Sequence, residues 1–344
     1  MEFAGVQTLL FTFPNKCRGY YAMMQPLISV LMSAYDEPIE YVCQAVSSIV
    51  EQTYKNLEFL IVCDKPDNEV LINFLSECAE KDQRIKLMIN QENIGLARSL
   101  NQALAAASGK YIARMDADDI SKPERLEKEL DFLCSNQLDV VGCSVEKIDE
   151  NGKVWGEIRR YSDKPEAYKR LLPVQNVIVH PSIITKQEVV RSVGGYRNFP
   201  SSQDYDLWLR LLSRGYVFGV TEEILFQFRR HPNSITATRR YGQFLNEAYI
   251  RKLHHEREMN GGTDSFSEEE FGKYLTSKGF YDKAISDKHN RMLIKYNRGI
   301  SDIKKKKYVH GIVEVAASLG SEAVRENIRI SVKSKKIRRE YAER

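Results

Sequence analysis

The sequence predicts an α/β protein, a doubly wound and mostly parallel sheet flanked by helices and followed by a helical C-terminal region. Two observations carry this. Between residues 27 and 115, apolar runs of strand length alternate with segments of helical period, the pattern of strand–helix units that build a parallel sheet. After about Arg239 the pattern is helical and increasingly polar. Ligands of such a sheet bind at the carboxyl ends of its strands.

The first run, Leu27-Ile28-Ser29-Val30-Leu31-Met32, lacks polar alternation and reads as a strand buried on both faces. Tyr35-Asp36-Glu37-Pro38 ends it, and Val42, Ala45, Val46, Ile49 and Val50 follow at helical spacing. Residues 57–63 form a second buried run ended by Asp64-Lys65-Pro66-Asp67; residues 70–78 read as a helix and 85–89 as a third strand. Residues 96–107 read as a helix closed by Ser108-Gly109, a C-terminal glycine signal. Residues 111–115 then make a strand that runs into Asp116-Ala117-Asp118-Asp119. The strand-end rule makes a test: Tyr35-Asp36-Glu37, Asp64 and Asp116–Asp118 should line one crevice. Asn151-Gly152 between two β-prone stretches signals a hairpin. Residues 177–185 are expected as another strand, residues 204–214 as an amphipathic helix, and Lys304–Lys307 as a solvated charge run.

Composition narrows the function classes. Hydrophobic residues at 42% and charged residues at 28% describe an ordinary globular chain. From His289 onward there are 15 Lys/Arg against 6 Asp/Glu, so the formal net charge of +4 hides an acidic body with a basic tail. That balance argues against nucleic-acid binding by the main domain, since phosphate contacts need basic side chains near the site. Six cysteines at irregular spacing, with no C-x-x-C pair, read as buried free thiols of a reducing cytoplasm. No run reaches the roughly 20 apolar residues of a membrane span. Residues 1–24 are read as an extension outside the fold, with Met23 or Met24 as an alternative start.

An Asp-x-Asp pair is weak evidence by itself, because about one is expected by chance in a chain of this length. Asp204-Tyr205-Asp206 is a second one. Context separates them. Carboxylates gathered at a sheet edge repel unless a cation or donors neutralise them. Mg²⁺ or Mn²⁺, held by one or two carboxylates and completed by substrate phosphates, fits Asp116-Ala117-Asp118. A turn-and-cap role before Pro123 stays open for it. The second pair opens a helix, where Asp is also a favoured cap; Ser201 or Ser202 can serve that need instead and leave Asp204 facing a cleft. Asp206 and Arg210, at i and i+4, are expected as an ion pair.

In order along the chain, Ile28-Ser29-Val30-Leu31-Met32-Ser33-Ala34-Tyr35, Gln52-Thr53-Tyr54-Lys55-Asn56-Leu57-Glu58, Asn93-Ile94-Gly95-Leu96-Ala97, residues 109–119, Gly194-Gly195-Tyr196 and residues 203–211 resemble the family 2 glycosyltransferases of GT-A fold, more narrowly their bacterial surface-polysaccharide branch. The resemblance implies a Rossmann-like catalytic domain over residues 25–239 and a separate helical region over 240–344. It implies that Ser33, Tyr35 and Asp64 hold the nucleotide base, with Asp64 accepting from the uracil ring. Asp116 falls at the ribose position, and Glu37 joins the same nucleotide-binding set. Asp118 is the implied ligand of a divalent metal, Mn²⁺ or Mg²⁺, that stabilises the departing diphosphate, and Asp204 the general base. Arg98, His180 and His231 are secondary candidates: Arg98 can reach the phosphates or be exposed, His180 falls near the acceptor side or is a satisfied core residue beside Val179, and Arg229-Arg230-His231 can bring positive charge or a third metal ligand to the diphosphate or form a solvated turn before Pro232. Asp119 is expected to be scaffolding. The implied reaction is an inverting transfer from a nucleotide-sugar, UDP-linked, to a hydroxyl of a growing glycan or lipid-linked oligosaccharide.

The sequence departs from the family's commoner pattern in places. Cys63 stands for the first Asp of a usual pair, Lys65-Pro66 for Gly-Ser, and Gln203 for Glu beside the base. A sugar-nucleotidyltransferase and a catalytically silent nucleotide-sugar binder remain as alternatives. The first should carry a glycine- and basic-rich loop after strand one, which Ser33-Ala34-Tyr35-Asp36-Glu37-Pro38 is not. In the tail, Ile328, Ile330, Val332 and Ile337 alternate with Arg and Lys. Such a stretch can lie on an anionic bilayer, which would bring a cytoplasmic enzyme to the inner membrane face; a solvated, frayed terminus is the other reading.

Overall fold

The computed structural model describes residues 25–160, 162, 164–230 and 240–342. The expectations for residues 1–24 and for His231 lie outside these.

The first half builds the parallel sheet. Strand β1 (Ile28–Ala34) is followed by α1 (Ile39–Val50), β2 (Leu57–Cys63), α2 (Glu69–Lys81), β3 (Ile85–Ile89), α3 (Leu96–Ala106) and β4 (Tyr111–Asp116). The order β3-β2-β1-β4 is parallel throughout. The unbroken apolar runs have the reason expected of them: every residue of β2, and all of β1 except Ser33, is buried. Successive residues serve opposite faces. Val30 and Met32 pack with Val42 of α1 and Leu71 and Leu75 of α2, while Leu31 packs with Leu100 of α3 and Trp208.

The second half changes the sheet from parallel to mixed. It comprises β5 (Ile120–Ser121), α4 (Arg125–Ser135), β6 (Val140–Ile148), β7 (Val154–Ile158), α5 (Pro165–Leu171), a 3₁₀ turn (His180–Ser182), β8 (Ile183–Lys186), α6 (Gln187–Ser192), α7 (Gln203–Ser213) and β9 (Phe218–Arg229). Beyond β4 the sheet continues β8-β6-β9-β5, with β7 paired to β6. Strand β8 runs antiparallel to both β4 and β6, and β9 parallel to β6. The β6–β7 hairpin forms where Asn151-Gly152 placed it, with Gly152 at φ +79°.

Two local expectations are corrected. Residues 177–185 do not make one strand: Pro181 has no N–H for a ladder, and the chain takes the 3₁₀ turn before a four-residue strand. Gly109 is not a left-handed cap for α3, whose C-cap Ala107 is extended. It is required by space, because a Cβ there would lie 2.6–2.7 Å from Ser29 Oγ, the Leu27 carbonyl and the Ser29 nitrogen. Of the thiols described, Cys63 and Cys143 are buried but Cys43 is exposed on α1.

Five helices follow: α8 (Arg240–Met259), α9 (Glu268–Ser277), α10 (Lys283–Lys304), α11 (Tyr308–Ser318) and α12 (Glu322–Ala342). Helix α8 packs along α7, and its Leu245, Tyr249, Ile250 and Leu253 join the same core as Trp208. Helix α12 folds back on α5 and α10. Ile337 is buried, and Ile328 and Ile330 pack against the core. Arg170 of α5 pairs with Glu340 at 2.5 Å. The apolar residues of the tail, apart from the exposed Val332, are therefore spent on the protein rather than offered to a bilayer, and the terminus is helical to Ala342 rather than frayed. Among the described residues no helix is long and apolar enough to cross a membrane.

Candidate active site

Strand register brings the expected residues to one edge. Ser33 lies opposite Val62 on one side and Asp116 on the other, and the Asp64 nitrogen donates to the Ala34 carbonyl at 2.8 Å. Tyr35, Asp64 and Asp116 thus mark neighbouring strand ends, as the strand-end rule requires.

Asp64 ties this edge together. Its carboxylate accepts from Asn90 Nδ2 (2.7 Å), the Ile94 nitrogen (2.9 Å) and the Gly95 nitrogen (2.8 Å). A carboxylate has about four acceptor positions, so one remains for a ligand. Gly95, at φ +85°, is the N-cap of α3, a backbone that suits glycine and lets two successive N–H groups converge on Asp64. Tyr35 exposes 39% of its surface, and the Lys65 ammonium lies 5.1 Å from its ring centroid, covering one face.

The acidic cluster is compact. Oxygens of Asp116, Asp118 and Asp119 all lie within 4.8 Å of one another. The Arg114 guanidinium, buried beneath, is ion-paired with Asp116. Asp119 is 1% exposed; its Oδ1 accepts from the Arg229 nitrogen at 2.7 Å, while its Oδ2 is buried with no hydrogen-bond partner. Burial, then repulsion from Asp118 and Asp116, holds the Asp119 carboxyl well above the ordinary range. Burial likewise raises Asp116, and Arg114 opposes it. Glu37 Oε2 accepts from the Tyr35 nitrogen at 2.7 Å. Burial pushes its carboxyl up to about 6, with smaller contributions from Asp118 and Asp116. A hard divalent cation suits three crowded oxygens, one of them orphaned, because it relieves all of these costs.

Asp204 lies close enough to this cluster for the charge of Asp116 to act on it. It stands in the first turn of α7 behind Ser202, the N-cap, whose left-handed backbone (φ +63°) makes no side-chain cap. Strain of that kind in a non-glycine residue clusters at functional sites. Asp204 Oδ2 accepts from Asn176 Nδ2 at 2.7 Å. Burial raises its carboxyl; Asn176 and the N–H groups of Tyr205 and Asp204 oppose, and the charge of Asp116 adds a little. The expected Asp206–Arg210 pair forms at 2.7 Å in the core, and Arg210 also donates to the Val193 and Gly195 carbonyls.

The secondary candidates are placed elsewhere. His180 is buried, its Nε2 2.9 Å from the Tyr196 hydroxyl, and burial holds its pKa far below the usual imidazole range. Its ring packs edge-on against Tyr196 and Trp208, as a core residue does. The Arg98 guanidinium lies 3.6 Å from Glu268 of α9. Arg229 is 2% exposed and does not serve as a free positive charge. Its Nε donates to the Asp118 carbonyl (2.7 Å), Nη1 to the Asp149 (3.1 Å) and Glu150 (3.4 Å) carbonyls, and Nη2 to Gln44 Oε1 (2.6 Å). Its guanidinium carbon sits 4.2 Å from the Tyr41 ring centroid.

Sequence reasoning missed Arg114, Asn176 and Glu247. Glu247 of α8 is raised to about 7, first by burial, with Arg251 lowering it and the Asp204 charge raising it. Glu247 thus lies within reach of the Asp204 charge while pairing with Arg251 at 3.8 Å. No spacing in the sequence signals a contact between elements so far apart.

Comparison with known proteins bears on the family and the fold. The sequence profile of glycosyl transferase family 2 matches residues 29–194. An uncharacterized glycosyltransferase of Methanocaldococcus jannaschii, MJ1057, is 36% identical over 233 residues, 67% of this chain and 80% of that protein. The O-antigen biosynthesis glycosyltransferase WbnJ of Escherichia coli is 35% identical over 213 residues, 60% of this chain and 81% of WbnJ. Among solved structures, TarS of S. aureus superposes with a TM-score of 0.53 at 15% identity over 77% of this chain, which spans 47% of TarS. TarS 1–349 in complex with UDP-GlcNAc gives a TM-score of 0.50 at 16% identity, over 85% of this chain and 90% of that one. At such identities the likeness is one of fold.

Proposed function

The chain belongs to glycosyl transferase family 2, and from that premise we propose that it is an inverting, metal-dependent enzyme moving a sugar from a UDP-sugar to a hydroxyl of a growing surface glycan. The observation that carries this reading is the acidic cluster within 4.8 Å at the strand ends, with Asp204 close enough to feel the charge of Asp116.

Tyr35 offers the base one aromatic face, and Asp64 its remaining acceptor position for a ring N–H. Ser33 joins them at the base, Asp116, opposite it across β1 and β4, takes the ribose, and Glu37 completes the nucleotide-binding set. Asp118, with Asp119 beside it, would hold Mg²⁺ or Mn²⁺, and that ion when bound supplies Lewis-acid stabilisation of the departing diphosphate. Asp204 receives the proton of the acceptor hydroxyl as that oxygen attacks the anomeric carbon. Its raised proton affinity makes it a stronger base than a solvated aspartate, while Asn176 fixes its orientation. One displacement inverts the configuration at that carbon. The UDP choice agrees with the ligand of TarS, and a surface glycan acceptor with the O-antigen role that WbnJ's name states.

A thermal-shift panel of UDP-, GDP- and dTDP-sugars with and without Mn²⁺ tests the donor assignment. UDP-sugars should stabilise the protein only with metal. Equal stabilisation without metal, or by GDP-sugars alone, would overturn it.

A further inference from the structure

Helix α11 turns an apolar face outward along its length. Tyr308, Val309, Ile312 and Val313 are exposed by 56, 81, 59 and 60%, and Ala316 and Ala317 continue the stripe. Such i, i+1, i+4, i+5 spacing keeps all six on one side of a helix. The helix is fixed on its other side. Gly299 of α10 and Gly311 of α11 meet so closely that a Cβ on either would lie 2.7 Å from the other's carbonyl oxygen. Glu314, the one Asp, Glu, Lys or Arg within α11, is partly buried beside His310, which pairs with Asp302 at 2.7 Å. Among the described residues nothing covers the stripe. Its area is on the order of 400 Å², the size of the largest apolar patch on a typical monomer, which is often functional.

The neighbouring charge names the occupant. Lys304, Lys305, Lys306 and Lys307 lead directly into the stripe, and all four are exposed. A second copy pairing isologously by this patch would offer the lysines no acidic complement, because the exposed residues of the patch include no carboxylate. An anionic bilayer accepts both parts, apolar residues at the acyl boundary and lysines at the headgroups, with Tyr308 between them. We propose that the α10–α11 hairpin, through Tyr308, Val309, Ile312, Val313 and the Lys304–Lys307 run, docks the protein on an anionic lipid surface. Membrane contact is thereby assigned to α11 and not to the tail helix, whose apolar residues are mostly packed inward. The proposal rests on no feature of the donor site.

Flotation of the full chain with vesicles of phosphatidylcholine alone, or with about 30 mol% phosphatidylglycerol, tests it. The wild type should float at least about fivefold more with the anionic vesicles, and high salt should reduce this. Val309→Asp with Ile312→Asp, and separately Lys305→Glu with Lys306→Glu, should each cut anionic flotation by roughly tenfold. Both are surface changes, and an unchanged melting temperature with UDP-sugar confirms the fold. Absence of wild-type flotation, flotation unchanged in the Val309/Ile312 variant, or a concentration-dependent dimer that this variant abolishes would each overturn the proposal. The last outcome would give the face to a second copy.

Discussion

Arg229→Lys separates scaffold from ligand contact at the donor site. The guanidinium joins the Asp118 carbonyl, the Asp149 and Glu150 carbonyls of the β6–β7 turn, and Gln44 of α1, while lying over Tyr41. A lysine ammonium carries its three donors on one atom and cannot span these partners together. Losing two charged hydrogen bonds, at roughly 1.5 kcal/mol each and partly replaced by water, and part of a cation–π contact of about 1 kcal/mol, gives a net loss near 3 kcal/mol. For a chain of this size that lowers the melting temperature by about 4 °C. Metal-dependent UDP-sugar binding should weaken as well, because the backbone of Asp118 loses its tether. Thermal denaturation with and without ligand reads both effects. A melting temperature within about 1 °C of wild type, together with a tenfold loss of UDP affinity, would refute the reasoning and return Arg229 to the diphosphate.

Other perturbations separate the remaining parts. Asp118→Ala should weaken UDP-sugar binding at least about tenfold in Mn²⁺ by calorimetry, since it removes a charged metal ligand; binding in Mn²⁺ equal to wild type would defeat the metal assignment. Asn176→Ala takes a donor from the Asp204 carboxylate and so raises its proton affinity further. The acid limb of kcat/KM should move to higher pH, by about half a unit, with the alkaline side unaffected; movement to lower pH would contradict the assignment. Gly109→Ala should cost about 2–3 kcal/mol, because two of the three atoms its Cβ meets, the Leu27 carbonyl oxygen and the Ser29 nitrogen, are backbone and cannot swing aside. Melting temperature near wild type in that variant would show that the β1–β4 approach relaxes.

What was legible in the sequence followed from local rules. Unbroken apolar runs announced β1 and β2 because both faces of those strands are covered, and the strand-end rule then grouped Tyr35, Asp64 and Asp116 correctly. The Asp206–Arg210 pair was readable because i and i+4 fix neighbours on any helix. Local rules failed where a residue answers to a distant partner. Gly109 reads as a cap but is dictated by Ser29 and Leu27, eighty residues away along the chain. Asp119 reads as scaffolding, and its Oδ1 does accept from the Arg229 nitrogen, but no local rule shows that it also stands within 4.8 Å of the oxygens of Asp116 and Asp118. Arg229 reads either as a cation for the diphosphate or as part of a solvated turn, yet it is buried and its donors are spent on three backbone carbonyls and a glutamine. The isoleucines of the tail read as a bilayer-facing stripe, but α5 and α10 supply the apolar contact instead.

Everything assigned to the acceptor side depends on Asp204 acting as the base rather than as the cap of α7. Asn in its place keeps size and helix-capping ability but cannot take a proton. Sugar transfer from a UDP-sugar in Mn²⁺ by Asp204→Asn, measured beside UDP-sugar affinity, is therefore the most direct test. The account predicts a loss of transfer of roughly 10²-fold or more with donor affinity and melting temperature retained. Transfer near the wild-type rate would contradict it.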